Sequence, residues 1–378
     1  MGLTGSESGR RRVADRLPTF PWDRLAPHKE AAAAHPDGLV DLSVGTPVDP
    51  VPEAVRAALA GAADSPGYPA TYGTPRLREA IAGWLERRHG VPLDPAAALP
   101  TIGSKEMVAW LPTLLGLGPG DVAVHPELAY PTYDIGIRLA GATPVPADGL
   151  AALGPRRVRL VWINSPANPT GRVLPAVHLR KVVEWARERG AVVASDECYL
   201  DLGWDGVRPT SILHPDVCGG SHEGLLALHS LSKRSNLAGY RAAFVAGDPE
   251  LVGELLAVRK HAGMIVPAPV QAAMTAALED DRHADEQKER YRVRRELLRG
   301  AFERAGWRIT HSEAGLYLWA AHPRHDAWDS VARLADLGIL VAPGDFYGAD
   351  GGGHVRVAFT ATDERVAAAA KRLAALEV

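Results

Sequence analysis

Short apolar runs alternate with amphipathic stretches along the chain as far as residue 247. The apolar runs, which we interpret as strands, lie at residues 121–125, 158–163, 191–195, 225–229 and 242–247. Helical periodicity is found at residues 52–62, 75–89, 105–116, 132–140 and 176–189. Strands that alternate with helices are typical of a mainly parallel sheet covered by helices. The pattern therefore predicts an α/β fold for this part of the chain.

The remainder of the chain has a different pattern. From residue 249 a long charged helical region, which includes residues 280–304, leads to a smaller α+β unit. Its predicted strands lie near 307–310, 315–320, 339–341 and 354–359, and its helices near 327–337 and 362–376. Pro267 and Pro269 interrupt the sequence near the boundary. We expect a disordered tail at 1–16, an N-terminal segment at 17–46 that joins the small domain, a large domain at 47–270 and a small domain at 271–378.

Composition and charge exclude several classes of protein. The chain has 378 residues and a formal net charge of −3, which argues against nucleic acid as its main partner. No apolar run reaches ~18 residues, so no membrane span is predicted. The first residues lack the apolar core of a signal peptide, and Cys198 and Cys218 are too few for a disulfide framework. We therefore expect a cytoplasmic protein, and no metal site is predicted.

The stretch from Ser230 to Arg241 combines one lysine with groups that bind a phosphate. Lys233 is flanked by small hydroxyl residues, and Arg241 follows it at a distance of eight residues. A lysine in a tight, partly desolvated pocket has a lowered pKa, and its free amine is nucleophilic toward an aldehyde. Ser230, Ser232 and Arg241 supply the donors that a phosphate dianion requires. The stretch predicts a site for pyridoxal 5'-phosphate, with Lys233 as the residue that bonds its aldehyde.

Three further segments supply parts that this cofactor needs. Asp196 ends an apolar strand and can pair with the pyridine nitrogen, while Tyr199 can donate a hydrogen bond to the ring hydroxyl. Asn168 stands before a proline, which fixes its backbone and its amide for the same hydroxyl. The turn at Gly103 and Ser104 opens a helix whose free amides can face a phosphate.

Each of these segments, taken alone, also fits an ordinary structural role. Residues 230–241 could form a polar surface turn, and Asp196 could cap a helix. Asn168 could belong to a plain turn, and Gly103 could mark a plain helix start. The occurrence of all four segments in this order on one chain favours the cofactor site.

Together these motifs resemble the class I/II family of fold-type I pyridoxal-phosphate-dependent aminotransferases, from residue 17 to the end of the chain. The resemblance implies a large cofactor-binding domain with a mainly parallel central sheet, a smaller α+β domain, amino acid and keto acid substrates, and a homodimer with shared active sites. It implies catalytic roles for Lys233, Asp196 and Tyr199. It implies cofactor contacts for Gly103, Ser104, Lys105, Tyr130, Asn168, Ser230, Arg241 and, across the dimer, Tyr68. It implies substrate-carboxylate contacts for Gly45, Asn168 and Arg356.

The strings at 103–117 and 125–133 show a finer resemblance, to N-succinyldiaminopimelate aminotransferases of actinobacterial type. This resemblance implies N-succinyl-L,L-2,6-diaminopimelate:2-oxoglutarate transamination in lysine biosynthesis, with glutamate as amino donor. Lys105 departs from the broader family, where many members carry a small or neutral residue. It adds a positive charge beside the phosphate or beside the distal end of the substrate. Lys105, Arg24 and Arg12 are candidates by charge for binding a distal anion.

Several alternatives stay open or are disfavoured. An aminotransferase of aspartate or alanine, or a pyridoxal-phosphate-dependent carbon–sulfur lyase, would use the same cofactor residues. The aminotransferase-like sensing domain of certain transcription regulators requires a winged-helix module, for which residues 1–40 are too few. Nicotinamide binding is disfavoured because no Gly-x-Gly-x-x-Gly follows a predicted strand.

Overall fold

The structure is a computed structural model that describes residues 13–19, 21–154 and 156–376. The predicted tail falls largely on residues 1–12, which together with the candidate Arg12 lie outside the described residues. Val13–Arg16, at the end of that predicted tail, form a short 3-10 helix.

The strands of the described residues, numbered in chain order, are β1 (Val40–Asp41), β2 (Ala98–Ile102), β3 (Val122–His125), β4 (Thr143–Pro146), β5 (Val158–Asn164), β6 (Val192–Asp196), β7 (Leu225–Ser230), β8 (Ala242–Gly247), β9 (Arg308–Thr310), β10 (Tyr317–Ala321), β11 (Ile339–Leu340), β12 (Ala342–Pro343) and β13 (His354–Ala358). The α-helices are α1 (Ala26–Ala33), α2 (Glu53–Gly61), α3 (Pro75–His89), α4 (Ser104–Leu114), α5 (Thr132–Leu139), α6 (Ala176–Arg187), α7 (Pro215–Cys218), α8 (Leu231–Arg234), α9 (Pro249–Ala262), α10 (Ala268–Glu279), α11 (Arg282–Arg304), α12 (Ala327–Asp336) and α13 (Asp363–Leu373).

Seven strands form the central sheet, in the order β2-β8-β7-β6-β5-β3-β4. The pairs from β7 to β4 are parallel, whereas β8 is antiparallel to both of its neighbours. The prediction of a mainly parallel central sheet is confirmed. Asn164, Asp196 and Ser230 are the last residues of three adjacent parallel strands, β5, β6 and β7. Their side chains therefore lie at one edge of the sheet, where ligands of such sheets bind.

Both faces of the central sheet are buried, because side chains along each strand point alternately to opposite faces. In β7, Leu225 and Ala227 belong to one hydrophobic core, and Leu226 and Leu228 belong to another. Helices α3, α6 and α10 supply apolar side chains to the first core, whereas α4, α5 and α9 supply them to the second. This double burial holds the carboxyl ends of the strands in fixed positions.

The smaller unit is an antiparallel sheet, in the order β12-β13-β10-β9, that packs with α11, α12 and α13. Leu25, Val40 and Leu42 belong to its hydrophobic core, and β1 pairs in parallel with β11. The amide of Ala358 donates a hydrogen bond to the carbonyl of Leu42 at 2.8 Å. This packing supports our proposal that the N-terminal segment is part of the small domain.

Helix α10 lies beside the boundary that we expected at residue 270. Its buried residues Ala273, Met274 and Ala277 belong to the core of the large sheet. We therefore propose that the boundary falls after α10, near Asp281, rather than before it. Among the described residues, no helix combines the length and the apolar character needed to cross a bilayer.

Candidate active site

A cavity of about 1220 Å³ lies at the carboxyl ends of β5, β6 and β7, between the two units. It brings together most of the residues that the sequence predicted: Gly45, Ser104, Lys105, Tyr130, Asn168, Asp196, Tyr199, Ser230, Lys233, Arg241 and Arg356. Tyr68 does not line this cavity in its own chain, and its side chain is fully exposed.

Asp196 is buried at the inner end of the cavity. Its Oδ2 accepts a hydrogen bond from the hydroxyl of Tyr133 at 2.9 Å, and its Oδ1 accepts one from the amide of Cys198 at 3.2 Å. Burial raises the pKa of Asp196 above its usual value, although these hydrogen bonds oppose the change. No ion pair with a cation is found for this carboxylate among the described residues. A cationic ring nitrogen placed against it would therefore be strongly stabilised.

Lys233 follows β7 in the short helix α8, which Ser230 caps through a hydrogen bond from the amide of Ser232 to its Oγ. The Nζ atom of Lys233 donates a hydrogen bond to the carbonyl of Gly45 at 2.5 Å. The amine thus projects into the cavity from the large unit and contacts the N-terminal segment.

Arg241 and Gly103 form a cradle for an anion. A side chain on Gly103 would overlap the guanidinium of Arg241, and the backbone of Gly103 has a φ of +77°. Only glycine accommodates both conditions. Arg241 is held by a hydrogen bond from its Nη1 to the carbonyl of Ala238 at 2.8 Å. The amino end of α4, which begins at Ser104, lies beside the guanidinium and adds its positive dipole end.

Arg356 is buried in β13 and is oriented by both units. Its Nη1 donates to Oδ1 of Asn168 at 2.8 Å, and its Nη2 donates to the carbonyl of Ser43 at 2.7 Å. The rings of Tyr317 and Tyr347 face the guanidinium, with centroids 4.0 and 4.7 Å from its carbon. No carboxylate pairs with Arg356 in the described part of the chain, and its buried Nε has no hydrogen-bond partner there. The guanidinium is therefore available to a carboxylate of a substrate.

Three residues of the site were given no role from the sequence, although Asn164 was recognised at a strand end facing the crevice. Tyr133, which is stacked on Trp162 at 5.0 Å, donates its hydroxyl to Asp196. Asn164 accepts a hydrogen bond from the amide of Asn168 at 2.7 Å and donates one to the carbonyl of Asp196 at 2.9 Å. Tyr317 contacts Arg356 through its ring. The position of Asn164 at a strand end was a usable signal, whereas nothing local distinguishes the two tyrosines from core residues.

The outer part of the cavity wall is more exposed than the part around Asp196, and it contains both cations and a carboxylate. Arg24 pairs with Asp345 at 3.2 Å and covers the ring of Trp328 at 4.5 Å. Lys105 faces the ring of Tyr130, with its Nζ 5.8 Å from the ring centroid. No carboxylate pairs with Lys105 within the described ranges.

A second buried layer lies directly beneath the strand ends. Oε2 of Glu197 lies 3.4 Å from Nε2 of His229, and both side chains are almost completely buried. Burial raises the pKa of Glu197 to about 7 and lowers the pKa of His229 to about 3. At neutral pH the imidazole is therefore neutral, and the carboxyl group is partly protonated.

The arrangement fits pyridoxal 5'-phosphate. The Gly103–Arg241 cradle suits the phosphate, because the guanidinium has no carboxylate partner among the described residues and a side chain on the glycine would fill the space. Asp196 offers a buried, unpaired carboxylate for the ring nitrogen, and Lys233 offers the amine. The same cavity leaves Arg356 for the carboxylate of an amino acid.

Comparisons with known proteins agree with this arrangement. The family model described as "Aminotransferase class I and II" matches residues 37–373. A 4-dedimethylamino-4-oxo-anhydrotetracycline transaminase of Streptomyces rimosus is 62% identical, over 94% of this chain and 99% of that protein. A probable aminotransferase of Mycobacterium tuberculosis is 63% identical, over 98% of this chain and 88% of that protein. The solved structure of a probable N-succinyldiaminopimelate aminotransferase from Thermus thermophilus has a TM-score of 0.84 and 32% identity, over 94% of this chain and 100% of the other.

Proposed function

The chain belongs to the class I and II family of pyridoxal-phosphate-dependent aminotransferases, and from this premise we propose a specific reaction for it. The proposed reaction moves an amino group between N-succinyl-L,L-2,6-diaminopimelate and 2-oxoglutarate, with glutamate as the second amino acid. Its defining feature is a long substrate that carries a second anion far from the reacting carbon.

The observation that carries this proposal is the set of cavity-lining cations that lack a carboxylate partner. Among the described residues, Arg24 pairs with Asp345 and Arg138 pairs with Asp134. Besides Lys233, the cavity-lining cations that have no carboxylate partner in the described part of the chain are Arg241, Arg356 and Lys105. Arg241 suits the cofactor phosphate and Arg356 suits the α-carboxylate. Lys105 is then available for the distal carboxylate of a succinyl group or of glutamate.

The size of the cavity supports the same substrate class. A volume of about 1220 Å³ exceeds the ~300–1,000 Å³ that is common for small-molecule sites, so it accommodates the cofactor together with an extended substrate. Apolar side chains of Trp22 and Phe346 line the outer part and suit the methylene chain of such a molecule. The relative from Thermus thermophilus carries the name of this activity.

The proposed roles of the side chains follow from their positions. When bound, the cofactor supplies an aldehyde for the amino group and a ring that accepts electrons. Lys233 acts as the base that removes the Cα proton and as the acid that returns it. Arg356 fixes the α-carboxylate, which orients the Cα–H bond. Asp196 holds the ring nitrogen in its cationic form, and Tyr199 donates a hydrogen bond to the ring hydroxyl.

We further propose a homodimer in which each subunit completes the other's site. The fully exposed side chain of Tyr68 makes no hydrogen bond to its own chain in the described residues, as expected for a group that reaches the phosphate site of a second copy. The alternative is a tyrosine that is simply exposed on the surface of a monomer.

The test is a steady-state assay of the purified holoenzyme with a panel of amino donors and 2-oxoglutarate. We expect higher kcat/KM for N-succinyl-L,L-diaminopimelate than for unsuccinylated diaminopimelate, aspartate or alanine. Lys105→Met should lower kcat/KM for the succinylated substrate ~10- to 100-fold, because a hydrogen bond to a charged group is lost. The kcat/KM for alanine should stay nearly unchanged. Lys181→Met, which removes an exposed lysine of α6, is the matched control.

Three outcomes would contradict the proposal. A wild-type preference for aspartate or alanine would exclude the succinylated substrate. An equal loss for both substrates in Lys105→Met, together with weaker cofactor binding, would assign Lys105 to the phosphate instead. Release of a sulfur-containing leaving group without a keto acid acceptor would indicate a carbon–sulfur lyase.

A second candidate substrate class is favoured by a different observation. The relative from Streptomyces rimosus, at 62% identity, is named for an oxo-anhydrotetracycline substrate. The outer wall is also aromatic: Trp22 and Phe346 lie with ring centroids 5.2 Å apart. The two ring planes are inclined by 51°, so a flat polycyclic ketone would pack against one face of this aromatic pair. Turnover of that ketone with glutamate, at an efficiency above that of the succinylated substrate, would select this candidate.

A further inference from the structure

Tyr317 occupies the point where the substrate-binding and cofactor-facing parts of the cavity meet. It lies at the start of β10, paired with Ala358 of β13, and Trp319 of the same strand is paired with Arg356. This register places Tyr317 diagonally across from Arg356. Its ring centroid is 4.0 Å from the guanidinium carbon, which is a close cation–π contact.

The hydroxyl of Tyr317 extends past Arg356 into the centre of the site. It lies 3.2 Å from the hydroxyl of Tyr199, and both groups are buried. A methyl group on Gly45 would overlap this hydroxyl, so the phenol also packs against the residue that accepts the hydrogen bond of Lys233. One side chain therefore contacts groups from the small unit, the large unit and the N-terminal segment.

The two phenols differ in acidity. Burial alone would raise the pKa of Tyr317, but nearby Arg356 and Lys233, together with the hydrogen bond with Tyr199, lower it. Burial and the neighbouring Tyr317 raise the pKa of Tyr199. Either hydroxyl can donate in the bond between them, so Tyr199 can donate its proton to the ring hydroxyl of the cofactor while it accepts a hydrogen bond from Tyr317. The other titratable group that acts on both is the thiol of Cys198.

We propose that Tyr317 is a positioning residue for transamination. Its ring holds the guanidinium of Arg356 flat for the α-carboxylate, and its hydroxyl holds that of Tyr199 in line with the cofactor. The α-carboxylate and the cofactor are therefore oriented by one shared side chain. This proposal depends on the aminotransferase activity of the family and is independent of the keto acid that the enzyme uses.

The hydroxyl role is tested with a double-mutant cycle read in the visible absorbance of the bound cofactor. Tyr317→Phe should shift the absorbance in the same direction as Tyr199→Phe, but less. The double variant should match Tyr199→Phe alone, because the hydroxyl of Tyr317 acts through Tyr199. Tyr291→Phe is the matched control, since it removes another buried hydroxyl, which donates to Asn236 at 3.3 Å outside the site. Additive shifts in the double variant, or a shift in Tyr291→Phe as large as in Tyr317→Phe, would overturn the hydroxyl role.

The ring role is tested by binding of α-methylglutamate, an amino acid that has no Cα proton to lose. Tyr317→Leu should raise its dissociation constant roughly 3- to 30-fold, whereas Tyr317→Phe, which keeps the ring, should change it less than 2-fold. Equal dissociation constants for Tyr317→Leu and wild type would overturn the ring role. If Tyr317→Leu does not fold, Tyr317→Met supplies the same comparison with an unbranched side chain of similar size.

An ultraviolet titration of the full-length apoenzyme gives a measurement that does not involve the cofactor. The wild-type protein should contain a phenol that ionises at lower pH than an ordinary tyrosine. This transition should be missing in Tyr317→Phe and present in Tyr291→Phe. Its persistence in Tyr317→Phe would contradict the placement of Tyr317 between Arg356 and Lys233.

Discussion

The inner and outer ends of the cavity are built in different ways. At the inner end, Asn164, Asp196 and Arg356 are all buried, and each is held by hydrogen bonds between separate elements. At the outer end, Arg24 comes from a short 3-10 helix, and 54% of its side-chain surface is exposed. Lys105 lies between them, on the first turn of α4.

We propose that this difference separates the reaction from the choice of substrate. A buried group with fixed partners keeps its orientation and acts in a low dielectric, so its electrostatic effect is large. An exposed ion pair such as Arg24–Asp345 is screened by water and contributes little. We therefore expect substitutions at the inner end to affect the turnover of every substrate, and substitutions at the outer end to affect particular substrates.

The largest effect is expected from Lys233→Ala. This change removes the amine that we propose bonds the cofactor and moves the Cα proton, so transamination should be abolished. The visible absorbance band that depends on the bond between lysine and cofactor should be lost as well. Lys181→Met should retain both. A Lys233→Ala enzyme with intact activity and an intact band would show that a different lysine carries the reaction.

Asp196→Asn should rank next. Without the carboxylate, the ring nitrogen loses its stabilised proton at neutral pH, so turnover should fall by ~10²–10⁴. The cofactor should still bind, because Arg241 and Ser230 are unchanged; its dissociation constant provides the control. A turnover number within a few-fold of wild type would refute the role that we assign to this carboxylate.

Tyr68→Phe should weaken cofactor retention roughly 10-fold, the value of one charged hydrogen bond. Dimers that combine one Tyr68→Phe subunit with one Lys233→Ala subunit should regain activity at one site. Both lesions fall in the same site of such a dimer, which leaves the other site intact. Full activity of a monomer in sedimentation would exclude the shared arrangement.

Glu197→Gln should change the pH dependence of stability rather than the reaction. The pKa of Glu197 is raised to about 7, so the folded protein binds one proton more than the unfolded chain between the two pKa values. The free energy of unfolding should therefore fall more in wild type than in Glu197→Gln when the pH rises from 5 to 8. The expected difference is on the order of 3 kcal/mol. His229 is present in both proteins, so its opposite contribution at lower pH cancels in the difference. Parallel curves in urea unfolding at these pH values would contradict the raised pKa.

The smallest effect is expected from Arg24→Met at the outer end. Its exposed pair with Asp345 is worth ~0–1 kcal/mol, so kcat/KM for every substrate should change less than ~5-fold. A loss as large as that of Lys105→Met for the succinylated substrate would instead place the distal anion beside Arg24.

The sequence indicated the strands of the sheet best where both faces of the strand are apolar. Strands β5 to β8 lie within one residue of their predicted bounds at every end. Strands β2 and β4 were missed because Pro100, Pro144 and Pro146 interrupt their patterns. Both are edge strands of the central sheet, where proline is tolerated because one side of the strand makes no ladder hydrogen bonds.

The sequence also indicated only some of the residues of the candidate site. Lys233, Asp196 and Arg241 were predicted because each stands in a short motif beside a strand end. Tyr133 and Tyr317 were not, because their functional partners lie far away in the sequence: Tyr133 is 63 residues from Asp196, and Tyr317 is 118 residues from Tyr199. A tyrosine among apolar neighbours is typical of a core position, and only the folded arrangement shows where its hydroxyl is directed.

The hydrogen bond between Arg356 and the carbonyl of Ser43 joins residues that are 313 positions apart in the chain. Contacts of such long sequence separation slow folding, because the entropy of closing a long loop must be lost before the contact stabilises the fold. During synthesis, the segment with Gly45 leaves the ribosome before β13, which is the last strand of the described residues. The strands that carry Asn164, Asp196 and Ser230 are complete well before that. The part of the site that we assign to the α-carboxylate therefore needs residues from both ends of the chain, and a chain shortened before Arg356 cannot form it.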